Sequence, residues 1–182
     1  DKDFFDGSRK TGYGGYNYSP RFFQPVVPDF IEHFSLKSGD SILDVGCAKG
    51  FMLYDFLQIN PKFKVAGIDI SEYAIKNALE EVKPFVRVAD ARELPFPDHS
   101  FDLSISITTV HNFEGEDLKR SLLELQRVSK NNRSFITVDA YRNDEEKKRM
   151  EAWNLTAKTM MHVDEWKEYF FQIGYEGDFY WF

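Results

Sequence analysis

Apolar and polar residues form two different patterns along this chain. Short runs that are apolar almost without interruption are typical of buried strands. Six such runs occur: "SILDVG", "KVAGIDI", "FVRVAD", "FDLSISIT", "SFITVDA" and "YEGDFYWF". The segments between them carry apolar residues at helical spacing, which predicts helices over residues 25–36, 50–59, 71–83, 116–130 and 163–173. Strands that alternate with amphipathic helices in this way are typical of a mostly parallel sheet covered on both faces.

The whole chain, residues 1–182, is therefore expected to form one α/β domain, doubly wound by right-handed crossovers. Two segments interrupt the alternation. Residues 1–24 combine glycines, tyrosines and charges without periodicity, and we interpret them as an N-terminal arm or lid. Residues 141–162 separate the fifth strand from its helix, and we interpret them as an inserted segment that caps a substrate.

The composition narrows the range of partners and compartments. The formal net charge of −7 argues against a nucleic-acid partner, because such proteins usually present a basic face. No apolar run approaches the ~20 residues that span a bilayer, and no signal peptide is visible. A single cysteine, Cys47, excludes an internal disulfide framework and fits a cytoplasmic location. Four histidines without paired spacing predict that no metal is bound.

A loop of very small residues follows the first strand. Asp44 lies in that strand, and Gly46, Cys47, Ala48 and Gly50 come after it, so a ligand can approach the backbone closely. A dinucleotide-binding fingerprint would need a glycine at position 51, which is phenylalanine, and a phosphate-binding loop would need Gly-Lys-Ser/Thr. Neither phosphate motif fits.

Acidic residues also end the next two strands. Asp69 lies nineteen residues after Gly50, where a carboxylate can accept both hydrogen bonds of a ribose diol. Asp90, followed by Ala91, is placed to receive an adenine amino group. Three neighbouring carboxylates repel a pyrophosphate and attract a cation, so the pattern suits an adenosine that carries no phosphate.

Over about residues 36–140, the chain resembles the class I S-adenosylmethionine-dependent methyltransferases. Four segments carry the resemblance by their order and spacing: "LDVGCAKG", "GIDIS", "VADARELPFPDHSFDLSIS" and "VHNF". The resemblance implies a Rossmann-like fold, S-adenosylmethionine as cofactor and S-adenosylhomocysteine as product. It implies that Asp69 holds the ribose and that the small-residue loop surrounds the methionine half. The other implied cofactor-binding positions are Ile70 against the adenine, Asp90 and Ala91 at its edge, and Ile107 through its backbone.

Two features depart from the family pattern. Ala48 stands where the family's middle glycine is expected. No residues remain for the family's seventh, antiparallel strand, so either the C-terminus is trimmed or disordered, or the sheet ends at six strands.

The substrate side is less determined by the sequence. His111 follows the fourth strand and is either a general base for a hydroxyl acceptor or a residue that starts a helix. Tyr13 and Tyr16 either close over the pocket or pack on the domain surface, and Arg21 is a candidate partner for a carboxylate or phosphate.

These observations predict methyl transfer to a small molecule, such as a sugar or another metabolite that carries a hydroxyl or carboxyl group. Two alternatives stay open. One is a catalytically silent subunit that binds S-adenosylmethionine and stabilises a partner. The other is an NAD-dependent reductase, which the loop spacing disfavours. The oligomeric state and the acceptor atom are not determined by the sequence.

Overall fold

A computed structural model describes residues 2–182 and has a six-stranded sheet at its centre. The sheet strands are β1 (Ser41–Val45), β2 (Lys64–Asp69), β3 (Val86–Val88), β4 (Leu103–Ile107), β5 (Ser134–Val138) and β8 (Asp178–Trp181). Their order is β3-β2-β1-β4-β5-β8, and every neighbouring pair is parallel. The predicted doubly wound α/β sheet is confirmed.

Eight α-helices flank or extend this sheet in the described part of the chain. They are α1 (Lys2–Asp6), α2 (Pro20–Phe23), α3 (Val27–His33), α4 (Phe51–Ile59), α5 (Glu72–Lys76), α6 (Gly115–Val128), α7 (Asp144–Trp153) and α8 (Val163–Ile173). Gly174 ends α8 in the left-handed conformation, with φ of 74°, which glycine adopts without steric cost. None of the helices within residues 2–182 has the length and apolar character required to cross a membrane.

The alternation of side chains along β1 divides the core into two layers. Ile42 packs with Val27 of α3 and Phe56 of α4 on one face of the sheet. Leu43 belongs to the cluster on the other face, which contains Trp166 of α8. Because β1 is buried on both faces, apolar residues occupy consecutive positions in it instead of alternating with exposed polar ones.

The predicted helix over residues 71–83 is wrong in length, since α5 ends at Lys76. The chain turns there, and the Leu79 backbone N–H donates to the Lys49 carbonyl at 3.1 Å. Val82 then packs against Gly50, where an added Cβ would lie 2.6 Å from a Val82 methyl carbon. The apolar spacing in this segment arises from a turn that packs on the glycine loop, and it imitates a helix.

The sheet ends at six strands in the described residues. β8 pairs directly with β5 in register from Phe135 with Asp178 to Val138 with Trp181. No antiparallel strand lies between these two strands within residues 2–182, an observation that both alternatives for the missing strand share.

The inserted segment is a closed excursion from the sheet. Two short strands, β6 (Ala140–Tyr141) and β7 (Met161–His162), pair with each other and bracket α7. The His162 ring accepts a hydrogen bond from the Asp164 backbone N–H at 3.2 Å, and the Glu165 carboxylate accepts one from the His162 N–H at 2.7 Å. These reciprocal bonds start α8, so His162 has a structural role here.

Candidate active site

A cavity of about 480 Å³ opens where the strand order reverses, between β1 and β4. This is where doubly wound sheets bind ligands, and the volume lies within the ~300–1,000 Å³ typical of ligand sites. Two walls line it. The β1–β3 wall consists of lining residues from the segments 44–52, 68–71 and 89–92, and the β4 wall consists of those from 107–113 and 156–158. Residues of the N-terminal arm also line the cavity.

The small-residue loop folds back on β2. The backbone N–H groups of Gly46 and Cys47 donate to the Ile68 carbonyl at 2.8 and 2.9 Å. Gly46 and Ala48 both have positive φ, 84° and 48°, so a glycine would adopt the position of Ala48 with less strain. A Cβ on Gly46 would lie 2.1 Å from the Thr109 hydroxyl oxygen. At Gly46 the two walls therefore lie too close together to admit a side chain.

Asp69 fastens this loop and lines the cavity. Its Oδ2 accepts a hydrogen bond from the Ala48 N–H at 2.8 Å, and its Oδ1 accepts one from the Ser71 N–H at 2.8 Å. Burial raises the pKa of Asp69, while these backbone bonds oppose the shift. Each carboxylate oxygen has two lone pairs, so both can still accept a ribose hydroxyl.

Asp44 has a different environment. Its carboxyl group lines the cavity, is 5% exposed, and has no hydrogen-bond or ion-pair partner among residues 2–182. Burial raises the pKa of Asp44 to about 7, and the neighbouring Asp69 carboxylate adds to the shift. The ionised form of a buried carboxyl is costly without a positive partner, so a positively charged ligand such as S-adenosylmethionine would stabilise it.

Asp90 lies in the turn after β3 and is held by Arg92, a residue that the sequence analysis did not identify. The Arg92 guanidinium donates to Asp90 through Nε at 3.0 Å and Nη2 at 2.6 Å, and to Asp117 through Nη1 at 2.6 Å. The hydrogen bonds from Arg92 lower the pKa of Asp90. An adenine amino group would have to share the Asp90 carboxylate with Arg92.

The other predicted cofactor residues are distributed around the same cavity. Cys47, Ala48, Ile70, Ala91 and Ile107 line it, whereas Gly50 lies behind it against Val82. Burial raises the pKa of the Cys47 thiol, with smaller contributions from the nearby carboxylates, so this group is protonated at neutral pH.

The N-terminal arm covers the cavity and is attached to the glycine loop. Tyr13 and Tyr16 both line the cavity, and the Tyr16 ring stacks on Phe51 with ring centres 4.9 Å apart. Asp6 accepts hydrogen bonds from the Lys49 ammonium at 2.8 and 2.9 Å and from the Tyr73 hydroxyl at 2.7 Å. This attachment was not predicted, because nothing in the sequence links residues 43 positions apart.

Arg21 is not brought to the cavity. Its guanidinium lies 4.7 Å from the centre of the Phe22 ring, and it is absent from the cavity lining in the described residues. Its proposed contact with cofactor or substrate remains a prediction that these contacts do not support.

His111 lies below the β4 wall and does not line the cavity. Its ring is buried, and Nδ1 accepts a hydrogen bond from the Asp139 backbone N–H at 3.0 Å. The neutral ring then carries its proton on Nε2 and has no lone pair left for a substrate. Burial lowers the pKa of His111 to about 4, opposed by a contact with the Thr108 backbone. The role of general base stays a prediction, and these contacts argue against it.

The inserted segment supplies two cavity residues that the sequence analysis missed, Thr156 and Lys158. The Asn154 side chain holds this loop: its Oδ1 accepts from the Ala157 N–H and its Nδ2 donates to the Ala157 carbonyl, both at 2.8 Å. The backbone N–H groups of Lys158 and Thr159 donate to the His111 carbonyl, each at 3.0 Å. The predicted cap therefore contacts the cavity through a loop, and α7 takes no part in the lining.

Comparison with known proteins places this geometry in context. A tRNA (carboxymethyluridine(34)-5-O)-methyltransferase of Arabidopsis thaliana is 36% identical over 152 residues, which are 81% of this chain and 35% of the relative. A demethylmenaquinone methyltransferase of Symbiobacterium thermophilum is 33% identical over 120 residues, 62% of this chain and 47% of the relative. The chain thus spans between a third and a half of these relatives.

Solved structures agree on the fold. A chain from a Haloferax volcanii complex between a methyltransferase activator and a methyltransferase superimposes with a TM-score of 0.68 at 20% identity, covering 85% of this chain and 70% of that one. The family model described as a methyltransferase domain matches residues 36–177, which includes both cavity walls. The chain therefore belongs to the methyltransferase-domain family and has the fold of the class I S-adenosylmethionine-dependent methyltransferases.

Proposed function

We propose that this chain binds S-adenosylmethionine in the cavity between its two walls and transfers the methyl group to a small molecule. The observation that carries the proposal is Asp44, a buried carboxyl without a partner that faces the cavity of a methyltransferase-domain fold. When bound, the cofactor supplies an electrophilic methyl group on a positively charged sulfur.

The residues of the β1–β3 wall divide the recognition of this cofactor. Asp69 accepts the ribose hydroxyls on the oxygens that also hold the loop, so it fixes the ligand and the backbone together. Asp44 compensates positive charge at the methionine half. Ile70 supplies an apolar surface for adenine. The Asp90 carboxylate, beside Arg92, accepts a hydrogen bond from the adenine amino group. Tyr16 and Phe51 exclude water above the loop, which strengthens these polar contacts.

The acceptor is proposed from charge and from the names of relatives. A net charge of −7 favours a small molecule over a polyanion. One relative is named for demethylmenaquinone and another for a modified uridine of tRNA, so the family includes both classes. The acidic composition of this chain favours a small-molecule acceptor. Methylation of tRNA by this chain would overturn that assignment.

Calorimetric titration with S-adenosylmethionine and S-adenosylhomocysteine tests the cofactor. We expect binding of both, and Asp69→Ala should weaken it by about 100-fold or more, because two hydrogen bonds to a charged group are lost. Asp164→Ala, which removes an exposed carboxylate of α8, is the matched control and should bind normally. Failure of both ligands to bind at millimolar concentration would reject the proposal.

A catalytically silent subunit would pass the same titration. Transfer of a tritiated methyl group to a metabolite in a single turnover separates the two possibilities. An enzyme transfers label to the acceptor in proportion to the enzyme concentration, whereas a silent subunit leaves the label on the cofactor.

A further inference from the structure

Lys158 is a cation at the cavity without a counter-ion. Two cationic side chains line the cavity in the described part of the chain, Arg92 and Lys158. Arg92 is paired with Asp90 and Asp117 at 2.6 Å each. Lys158 forms no ion pair with any residue from 2 to 182. Its ammonium group is therefore available to an anion that enters beside the β4 wall.

The backbone that carries Lys158 is fixed before any ligand arrives. Its N–H and that of Thr159 share the His111 carbonyl, and the Thr159 hydroxyl donates to the Phe113 carbonyl at 2.7 Å. These bonds attach the inserted segment to the loop after β4, where the chain faces the β1–β3 wall. A charge held on an ordered loop costs less entropy to use than one on a mobile loop.

The β4 wall contains no group that can remove a proton at neutral pH. Its polar lining side chains are Thr108, Thr109, Asn112, Thr156 and Lys158, with no carboxylate or imidazole among the described residues. His111 lies beneath this wall, and the lone pair on its Nδ1 already accepts a hydrogen bond from the Asp139 N–H. Asp44 belongs to the opposite wall, where it is assigned to the cofactor. An acceptor that must lose a proton as it reacts would find no partner here.

We propose that the methyl acceptor is a carboxylate, that Lys158 binds it, and that a carboxylate oxygen itself receives the methyl group. The inference rests on the proposed function and adds the acceptor class to it. The oxygen lone pair forms the new O–CH₃ bond, the S–CH₃ bond breaks, and its electron pair stays on sulfur. The products are a neutral ester and a neutral thioether, and no proton is transferred.

The surroundings suit such a reaction. Opposite charges on acceptor and sulfonium disappear together, so an environment of low polarity does not hinder the step. The cavity provides this through Phe4, Phe5, Tyr13 and Phe113, which line it alongside the polar groups. Lys158 orients one carboxylate oxygen and leaves the second free to attack, which is a contribution of positioning.

The first test measures binding to protein saturated with S-adenosylhomocysteine. The probes are a set of aliphatic and aromatic monocarboxylates, each matched with its carboxamide of the same shape. We expect at least one carboxylate to bind about tenfold more tightly than its amide. Lys158→Met should remove this preference and leave the affinity for S-adenosylhomocysteine unchanged. Lys62→Met, at an exposed lysine outside the cavity lining, should keep it.

The second test identifies the bond that is formed. Carboxylates that bind are incubated with cofactor carrying a tritiated methyl group, and the product is treated with mild alkali. An ester releases volatile tritiated methanol, which is the expected result. Label that survives alkali, absence of transfer to every carboxylate that binds, or a preference that persists in Lys158→Met would overturn the inference. Failure of S-adenosylhomocysteine to bind would instead reject the proposed function, so the two failures are distinguishable.

Discussion

The two walls of the cavity are built by different means. The β1–β3 wall stands on the ends of buried parallel strands, and backbone hydrogen bonds join its loop to Ile68 and Asp69. The β4 wall consists of residues around the 3₁₀ turn Val110–Asn112 that follows β4, and of a loop from the inserted segment. The first wall is fixed by the sheet, and the second by a few contacts that converge on His111. The proposed contacts to the cofactor thus lie on the wall that the sheet fixes.

The difference extends to local stability. Asp44 and Asp69 are almost fully buried beside strands that pack on both faces, whereas Thr156 and Lys158 are exposed. Segments with few buried contacts open at lower free energy than the core does. We therefore expect substitutions in the β1–β3 wall to affect cofactor binding most, and substitutions in the β4 wall to affect local order and the acceptor.

The largest effect is expected where the two walls meet. Gly46→Val places a side chain against Thr109 and should abolish detectable binding of S-adenosylhomocysteine, a loss of about 1,000-fold. Gly39→Val is the matched control, since Gly39 also has positive φ, 97°, but nothing lies within 4 Å of an added Cβ. Both variants strain the backbone, so equal losses of affinity by calorimetry would show that the contact with Thr109 is irrelevant.

His111→Ala should separate stability from cofactor binding. The change leaves the Asp139 N–H buried without an acceptor and opens a cavity, so the free energy of unfolding should fall by about 2–4 kcal/mol. Affinity for S-adenosylhomocysteine should change by less than about threefold, because His111 does not line the cavity.

Urea denaturation and calorimetry measure the two effects of His111→Ala. His33→Ala is the control, since that imidazole is exposed and contacts Asp178 only at the surface. A cofactor affinity that falls in step with stability would show that the two walls do not act separately.

The sequence predicts the β1–β3 wall well and the β4 wall poorly. Buried parallel strands are marked by apolar runs, and residues in the last positions of such a strand lie near the carboxyl edge of the sheet. Asp44 and Asp69 could therefore be placed from local sequence alone. Arg92 and Lys158 could not, because their positions depend on contacts with Asp117 and the His111 carbonyl, which are distant in the sequence.

The helix predicted over residues 71–83 illustrates the same limit. Ala78 and Val82 have the spacing of a helix, yet they are buried because the chain turns onto Gly50. Periodicity reports that a residue is buried, and only tertiary packing decides what buries it.

Proton uptake by Asp44 provides a third, smaller effect. Its pKa is raised to about 7 in the ligand-free fold, so its contribution to stability is fully present below the ordinary value of 3.8 and is lost as pH rises through about 7. A bound cation favours the ionised form, and binding then releases a proton. Affinity for S-adenosylmethionine, whose sulfonium carries the positive charge, should therefore increase about tenfold between pH 6 and pH 8.

Calorimetry at several pH values measures this dependence, and buffers with different ionisation enthalpies count the released proton. Asp44→Asn should bind more weakly and lose the dependence between pH 6 and pH 8. An unchanged pH profile in that variant would assign the proton to another group and would remove Asp44 as the partner of the cation.

The smallest effect is expected at the arm, which belongs to neither wall and lines the cavity beside the β1–β3 wall. The Asp6 and Lys49 side chains form an ion pair in which Lys49 is buried, and an asparagine at position 6 would keep an oxygen that accepts a hydrogen bond from Lys49. Asp6→Asn should therefore raise the dissociation rate of S-adenosylhomocysteine by about two- to fivefold in stopped-flow measurements. Added salt should raise that rate in the unmodified protein and have little effect in the variant, because screening weakens the same contact.

Asp3→Asn removes an exposed charge from the same short helix without touching Lys49, and it should leave the rate unchanged. If both variants release the ligand at the unmodified rate, the arm covers the cavity without controlling exchange, and retention of the cofactor depends on the β1–β3 wall alone.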